Sequence, residues 1–165
     1  MKIKSLLAPF LLLIVGCTWA DAPFTVSADG TEVTDGRTGL VWRRCAEGMT
    51  VTGGSCTGTA SSFTHELALT RARDQATNTG VAWRLPNVKE LVSIVDRSKG
   101  GPAIDTVAFP ATPATTGNWF WSSSPYVGDI GYAWSVNFLQ GAVFPSYRYS
   151  ANYGASPVRL VRAGQ

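Results

Sequence analysis

The segment Trp83-Arg84-Leu85-Pro86-Asn87-Val88-Lys89-Glu90-Leu91 predicts a short strand that runs into a proline and then a helix. The strand is expected over residues 81–86. Asn87 followed three positions later by Glu90 is the pattern of a capping box at a helix start. The apolar face of this helix is expected to consist of Leu91, Ile94 and Val95. Residues 98–102 end it.

Upstream of this segment, the pattern predicts a hairpin and a first helix. Asp35-Gly36 carries the turn signal of the hairpin, and Leu40-Val41-Trp42 is a compact apolar strand. The helix is expected to begin at a Thr64 cap and to end at Gly80. Residues 46–63, rich in glycine, serine and threonine, form the loop between these elements.

Downstream, the chain is irregular at first and then rich in β-strands. Residues 103–118 are expected to form a long ordered loop or a functional one. Strands are predicted over residues 119–123, 132–139 and 157–162, with a turn at Gln140-Gly141 and a returning strand from 142 to 144. Strands, then two helices, then more strands predict an α+β fold.

The first 20 residues have the features of a secretory signal peptide. Lys2 and Lys4 precede an apolar run from 6 to 15, and Thr18-Trp19-Ala20 offers a cleavage site before residue 21. A second interpretation stays open, in which residues 1–16 are removed and Cys17 is lipidated, because Ile14-Val15-Gly16-Cys17 resembles a lipobox. Residues 21–32 are then a short lead-in to a domain over 33–163. Either interpretation predicts an exported protein of the bacterial envelope or the medium, which touches a membrane only through such a lipid anchor.

Charge and cysteine content narrow the class of protein. Without residues 1–20, the chain has 12 Lys and Arg against 11 Asp and Glu, a net charge of +1, which does not predict binding to nucleic acid. Cys45 and Cys56 remain as an even pair in an exported chain, and we expect them to form a disulfide. Two cysteines and one histidine are too few for a zinc site.

Four segments taken together resemble a known family. They are Thr38-Gly39-Leu40-Val41-Trp42, the segment 83–91 quoted above, Phe120-Trp121-Ser122-Ser123-Ser124, and Ala133-Trp134-Ser135-Val136-Asn137-Phe138 with Pro157-Val158-Arg159-Leu160-Val161-Arg162. In this order they resemble the Lcl C-terminal domain family, named for the end domain of a bacterial collagen-like adhesin. The loop from Cys45 to Cys56 also resembles an element of many members.

The resemblance implies a C-type-lectin-like fold, with two helices packed on a small, twisted, mostly antiparallel sheet. It also implies a protein that is exposed on the surface or secreted, and binding of sulfated glycosaminoglycans as in the name-giving adhesin. This chain has no collagen-like Gly-X-Y region, so binding strengthened by a collagen-driven trimer is not expected of it.

The residues do not favour catalysis or a metal site. His65 is the only histidine, and its position predicts an exposed residue in the first turn of a helix. No nucleophile has an evident base near it in sequence. The motifs of calcium-dependent lectins are missing, and Asp96, Asp105 and Asp129 are interpreted as turn or cap residues. We therefore expect no enzyme activity, no cofactor and no metal.

Anion binding has more support. After Asp129 the chain has no acidic residue but carries Arg148, Arg159 and Arg162. The planar guanidinium fork of arginine suits sulfate and carboxylate groups, and Tyr147 and Tyr149 offer rings for stacking on sugars. Arg148 with these two tyrosines, in a loop over 141–154, is the best candidate site. An ordinary interpretation stays open, in which Arg159 and Arg162 are solvated strand residues and the tyrosines and tryptophans belong partly to the core.

These observations predict an adhesin-like protein that recognises a polyanionic, sulfated glycan outside the cell. The first alternative is a non-catalytic structural or assembly protein of the envelope with a protein partner. An envelope enzyme is the least favoured class.

Overall fold

The computed structural model describes residues 23–149 and 155–164. The predicted signal peptide and the Cys17 lipidation site lie outside the described residues. The helices are α1 (His65–Thr79) and α2 (Val88–Ser93). The strands are β1 (Phe24–Val26), β2 (Glu32–Asp35), β3 (Leu40–Arg43), β4 (Thr50–Thr52), β5 (Ser55–Thr57), β6 (Ser62–Phe63), β7 (Trp119–Pro125), β8 (Tyr132–Asn137), β9 (Ala142–Tyr147), β10 (Ser156–Pro157) and β11 (Val161–Ala163).

The predicted hairpin is confirmed as β2 and β3, which form the centre of a four-stranded antiparallel sheet in the order β1-β2-β3-β11. Val33, Trp42 and Val161 lie opposite one another across three strands, and all three are fully buried. This row joins an early strand to the last one. The sequence did not indicate β1, which lies within the predicted lead-in.

The second large sheet is antiparallel and has the order β7-β8-β9. The predicted strands 119–123 and 132–139 and the turn after them are confirmed with small changes in their ends. Both faces of the sheet are covered at their centre. Phe120 and Val136 pack in one core cluster with Leu91 of α2, whereas Trp121 and Ala133 pack in another with residues of α1. Residues that alternate along β8 therefore serve two different cores.

Both helix starts are confirmed. Thr64 caps α1, and Gly80 ends it in the left-handed conformation with a φ of 67°. Asn87 and Glu90 form the full capping box of α2. This second helix is shorter than predicted, because Ile94 already serves as its C-cap and turns into the core.

The predicted strand over residues 81–86 is wrong. Only Arg84 pairs there, in an isolated bridge with Val161. The segment turns at once, since the N–H of Trp83 donates to the oxygen of Val81. Pro86 has no N–H with which to extend the ladder.

The loop between the hairpin and α1 has more structure than its composition indicated. It contains the hairpin of β4 and β5, and the predicted disulfide between Cys45 and Cys56 is confirmed. Two glycines with positive φ, Gly53 and Gly54, make its turn. Both cysteines are buried, so the bridge fixes this hairpin to the end of β3.

The irregular segment 103–118 is confirmed as an ordered loop. Ile104 and Phe109 are fully buried in the main core. The guanidinium group of Arg44 binds the backbone of this loop. Its Nε donates to the oxygen of Ala108 at 3.2 Å, and its Nη2 donates to the oxygen of Val107 at 3.1 Å. The loop thus closes one side of the core.

The predicted strand 157–162 is divided in two. β10 pairs with β6, and β11 pairs with β3. Val158 and Leu160, between the two strands, enter the core cluster beside α1. In residues 23–149 and 155–164, the architecture of two helices, antiparallel sheets and one disulfide confirms the predicted α+β class. Within the described part of the chain, no helix has both the length and the apolar character needed to cross a membrane.

Candidate functional site

The best candidate site from the sequence lies at the outer end of the three-stranded sheet. Tyr147 ends β9 and pairs across the sheet with Tyr132, their rings 5.6 Å apart. The ring of Tyr149 packs against that of Tyr147 at 5.7 Å. Tyr147 and Tyr149 are 44% and 55% exposed. The two tyrosines are therefore surface residues, and the interpretation that they belong partly to the core is wrong.

Arg148 lies between these tyrosines and is held in place. Its Nε donates to Nδ1 of His65 at 3.2 Å, and its Nη1 donates to the oxygen of Ile130 at 3.2 Å. Its guanidinium carbon also lies 5.7 Å from the centre of the Tyr149 ring. We call Ile130, Tyr132, Tyr147, Arg148 and Tyr149 the tyrosine surface. It combines flat aromatic rings with one positioned cation.

The backbone fixes the same end of the sheet. The N–H of Arg148 donates to the oxygen of Gly131 at 2.9 Å, and the N–H of His65 donates to the oxygen of Arg148 at 3.1 Å. Asp129 accepts a hydrogen bond from the N–H of Gly131 at 2.7 Å and so stabilises the adjoining turn. The tyrosine surface is consequently part of the β8–β9 frame. The predicted loop 141–154 is a strand up to Tyr147, and residues 150–154 lie outside the described residues.

The prediction that His65 is an exposed residue of the first helical turn is wrong. His65 is only 1% exposed, and its ring packs edge-on against Trp121 with the centres 5.2 Å apart. Its Nε2 lies 3.0 Å from the oxygen of Ser122 and donates to it, because Nδ1 accepts from Arg148. Burial, together with the charge of Arg148, lowers the pKa of His65, against an opposing effect of the Ser122 oxygen. The neutral ring therefore links α1, β7 and Arg148.

Arg159 does not belong to a ligand surface in this conformation. Its side chain is fully buried, so the interpretation as a solvated strand residue is also wrong. The guanidinium group donates to the backbone oxygens of Arg43 and Arg44 and to Oγ1 of Thr112 at 2.8 Å. Burial lowers its pKa to about 9, which still leaves it charged at neutral pH. Its role is to join the end of β3 to the segment 103–118.

Arg162 lies on β11 in the four-stranded sheet, apart from the sheet that carries Arg148. Its Nη2 forms an ion pair with Glu32 at 2.7 Å, and its guanidinium group lies 5.5 Å from the ring centre of Trp83. Its charge is compensated where it stands. The three late arginines thus serve three separate places, and only Arg148 joins the candidate tyrosines.

The tryptophans are mostly core residues, as the ordinary interpretation expects. Trp42, Trp83 and Trp121 are at most 3% exposed. Trp119 and Trp134 are half-buried and pack against Phe144 and Tyr126. These two lie on the second large sheet but outside the tyrosine surface as defined above.

The aspartates predicted to be turn or cap residues have that role. Asp96 accepts from the N–H of Ser98, and Asp105 accepts from the N–H groups of Val107 and Ala108. Among residues 23–149 and 155–164, no group of three or more His, Cys, Asp or Glu side chains is arranged to hold a metal ion.

Two members of the tyrosine surface were missed by the sequence reasoning. Tyr132 could have been found from the turn at Gln140-Gly141, because antiparallel pairing counted back from it places Tyr132 opposite Tyr147. Ile130 gave no signal, since an apolar residue in a turn has no evident partner. Its side chain is 83% exposed.

The fold and the site can be set beside known proteins. The family model described as Lcl C-terminal domain matches residues 31–162 of the chain. No curated protein matches it. No solved structure matches it either.

Proposed function

We propose that this chain, which belongs to the Lcl C-terminal domain family, is an exported surface protein that recognises a sulfated, polyanionic glycan by adhesin-like binding. The family itself suggests a surface or adhesin-like protein. The proposal that the ligand is a sulfated glycan goes beyond the family, and it is based on the tyrosine surface.

The observation behind that proposal is that Arg148 stands between two exposed tyrosines in the chain, with its guanidinium carbon 5.7 Å from the centre of the Tyr149 ring. A guanidinium group whose Nε donates to His65 and whose Nη1 donates to Ile130 keeps a fixed direction, so less side-chain entropy is lost when it meets an anion. Sulfate and carboxylate oxygens are good partners for it. The rings of Tyr147 and Tyr149 provide apolar area for the faces of sugar rings beside that charge.

We also propose that the protein acts without catalysis. The one histidine of the chain uses both ring nitrogens in hydrogen bonds, with Arg148 and with the oxygen of Ser122. A general base needs a nitrogen that reaches the substrate. His65 is buried and has none free for that purpose.

Binding of the purified protein to heparin, and to dextran as a neutral polymer, tests the proposal at low salt and at 150 mM salt. We expect binding to heparin alone, weakened by salt, since ions screen exposed charges beyond a Debye length of about 8 Å at that concentration. Replacing Tyr147 and Tyr149 together by serine should weaken heparin binding about tenfold, and Arg148→Gln by a similar factor.

Two control variants separate this site from general effects. Phe144→Ser removes an aromatic residue that is 59% exposed on the other face of β9. Arg73→Gln removes an arginine that is 75% exposed on α1. Both should bind heparin like the wild type. Absence of heparin binding by the wild type, or equal losses in controls and site variants, would overturn the proposal and favour a protein partner in the envelope.

We further propose a C-type-lectin-like fold and export of the chain. The pairing of β11 with β3 supports the fold proposal, since it brings the end of the domain beside its first hairpin.

Mass spectrometry of the protein recovered from cell fractions tests export. A mature chain that begins at residue 21 indicates signal peptide cleavage there, a lipid-bearing Cys17 indicates an anchor, and an uncleaved chain in the cytosol contradicts export.

A further inference from the structure

A second site is suggested by a cavity on another part of the molecule. It has a volume of about 410 Å³ and lies between the disulfide-closed loop, α1 and the end of β3. The side chains that matter here are Arg43, Glu47, Arg71 and Gln75. Small-molecule sites commonly fall between about 300 and 1,000 Å³. The cavity is thus large enough for a small polar ligand.

Arg43 is the unusual member of this lining. Within residues 23–149 and 155–164, its side chain makes no hydrogen bond or ion pair, and its Nε is buried without a partner. Every other arginine has at least one such partner, namely Arg37, Arg44, Arg71, Arg73, Arg84, Arg97, Arg148, Arg159 and Arg162. The two Nη groups of Arg43, which are not buried in this way, therefore keep unused donors, and Arg43 lines the cavity.

The direction of that group is set by stacking. The guanidinium carbon of Arg43 lies 4.5 Å from the ring centre of Trp83, which is 3% exposed and cannot move aside. Stacking occupies the flat face of a guanidinium group and leaves its N–H edge for an anion in the same plane. Arg43 is consequently positioned before any ligand arrives.

The charges of the cavity limit what it accepts. Arg71 donates to the Glu47 carboxylate at 2.7 Å, and the Glu47 side chain is only 8% exposed. Two guanidinium groups and one carboxylate leave one positive charge in excess. The carboxylate repels an anion from its own side, so a ligand anion is directed toward Arg43. Gln75 adds an amide for ligand hydroxyls.

We propose that this cavity binds a single oxyanion carried on a sugar ring, either a carboxylate or a sulfate ester, with Arg43 as its anchor. The choice of an acidic sugar rests on the proposed function, whereas the cavity and its charge do not. Arg71 and Gln75 lie about 9 and 15 Å further along α1 than His65, at 1.5 Å per residue. The cavity is therefore a subsite separate from the tyrosine surface.

Titration of the purified protein with methyl glucuronide, glucose 6-sulfate and methyl glucoside, followed by calorimetry and amide NMR, tests the inference. We expect one or both acidic sugars to bind and to shift the Gln75 side-chain amide, and the neutral sugar not to bind. Preference for the first sugar assigns a carboxylate ligand, and preference for the second a sulfate ester. Absence of binding, or equal binding of the neutral sugar, overturns the proposal.

Variants then locate the anion. Arg43→Gln should weaken binding at least about tenfold, whereas Arg73→Gln, on the same helix outside the cavity lining, should not change it. Gln75→Glu adds a negative charge without touching Trp83 and should abolish binding even if Arg43→Gln fails to fold. Unchanged binding in Gln75→Glu would contradict the site.

The outcomes separate this inference from the proposed function. The double variant Tyr147→Ser, Tyr149→Ser should keep its affinity for the acidic monosaccharide while its affinity for heparin falls about tenfold. If neither the wild type nor any variant binds heparin while the acidic monosaccharide still binds, the adhesin proposal is refuted and the proposal of a cavity site is not. If heparin binds and the acidic monosaccharide does not, only the proposal of a cavity site is refuted.

Discussion

His65 and Arg148 hold each other through two hydrogen bonds of opposite direction. The N–H of His65 donates to the backbone oxygen of Arg148 at 3.1 Å, and Nε of Arg148 donates to Nδ1 of His65 at 3.2 Å. The pair joins the first residue of α1 to the end of β9. The second bond requires a neutral imidazole, because a protonated Nδ1 has no lone pair to accept it.

The stability of the protein should fall as the pH drops below about 6.5. Burial lowers the pKa of His65 in the folded state, and the charge of Arg148 lowers it further. Between that lowered pKa and the ordinary value, the unfolded chain binds a proton that the folded chain does not. The free energy of unfolding therefore falls as the pH is lowered through this window, and it is fully restored above the window. Urea unfolding at a series of pH values from 7.5 to 5 measures the effect.

His65→Gln is the matched control for this prediction. A glutamine amide can still donate toward the oxygen of Ser122, but it does not titrate. The chain has no other histidine, so the variant should have a nearly flat profile between pH 7.5 and 5. Equal slopes in wild type and variant would assign the dependence to carboxylates instead.

The capping box of α2 predicts the cost of a second substitution. Asn87 accepts from the N–H of Glu90, and Glu90 both accepts from the N–H of Asn87 and pairs with Arg84 through two contacts of 2.7 Å. Asn87→Ala should lower the free energy of unfolding by about 1 kcal/mol. Denaturant unfolding monitored by circular dichroism measures it.

Asn78→Ala supplies the comparison. Asn78 is exposed inside the last turn of α1 and has no capping role. Alanine is the better helix former there, so this variant should be unchanged or slightly more stable, within about 0.5 kcal/mol. If both asparagine variants lose the same amount, the capping box is not what stabilises α2.

The elements that the sequence predicted well are those whose cause is local. The caps at Thr64 and Asn87 involve residues within four positions, and the turn after β8 is read from two neighbouring residues. The hairpin of β4 and β5 was missed because only Val51 and Cys56 on it face inward, among exposed threonines and serines. The disulfide, rather than an apolar pattern, accompanies that hairpin.

The candidate site was harder to predict, because its arrangement depends on contacts between residues far apart in the chain. Tyr147, Arg148 and Tyr149 are neighbours in sequence, and the structure places the Tyr149 ring near both the Tyr147 ring and the guanidinium group of Arg148. The sequence also groups Arg159 with Arg148 as a candidate for anion binding, because a charged side chain is usually exposed. Its partners are backbone oxygens of Arg43 and Arg44, and carbonyl groups leave no mark in a sequence.

Loss of the disulfide should reduce stability by about 2–3 kcal/mol, the loop-closure entropy expected for a short loop. Cys45 and Cys56 are 11 positions apart, and both are buried. Replacing both with alanine avoids placing new polar groups in the core. Urea unfolding of this variant should match that of the wild type in a thiol reductant. If the variant is as stable as the oxidised wild type, the disulfide does not stabilise the protein by restricting the conformations of the unfolded chain.

Gly48 should be the most sensitive glycine of the disulfide-closed loop. It has a φ of +90°, and a Cβ at this position would meet Oγ of Ser61 and lie 2.7 Å from the backbone N of the same residue. That N–H donates to the oxygen of Glu47, so the neighbour cannot withdraw without losing a hydrogen bond. Strain of this backbone region costs of order 1–3 kcal/mol before the clash is added. We expect Gly48→Ala to destabilise the protein by at least about 3 kcal/mol.

Gly53→Ala separates the clash from the backbone strain in the same loop. Gly53 also has a positive φ, +59°, but a Cβ there would meet nothing within 4 Å. Its cost should be about 1 kcal/mol, that of the left-handed conformation alone. Thermal unfolding of both variants beside the wild type provides the comparison. Similar midpoints for the two variants would show that the segment around Ser61 yields, and that the contact between Gly48 and Ser61 does not constrain the loop that lines the cavity.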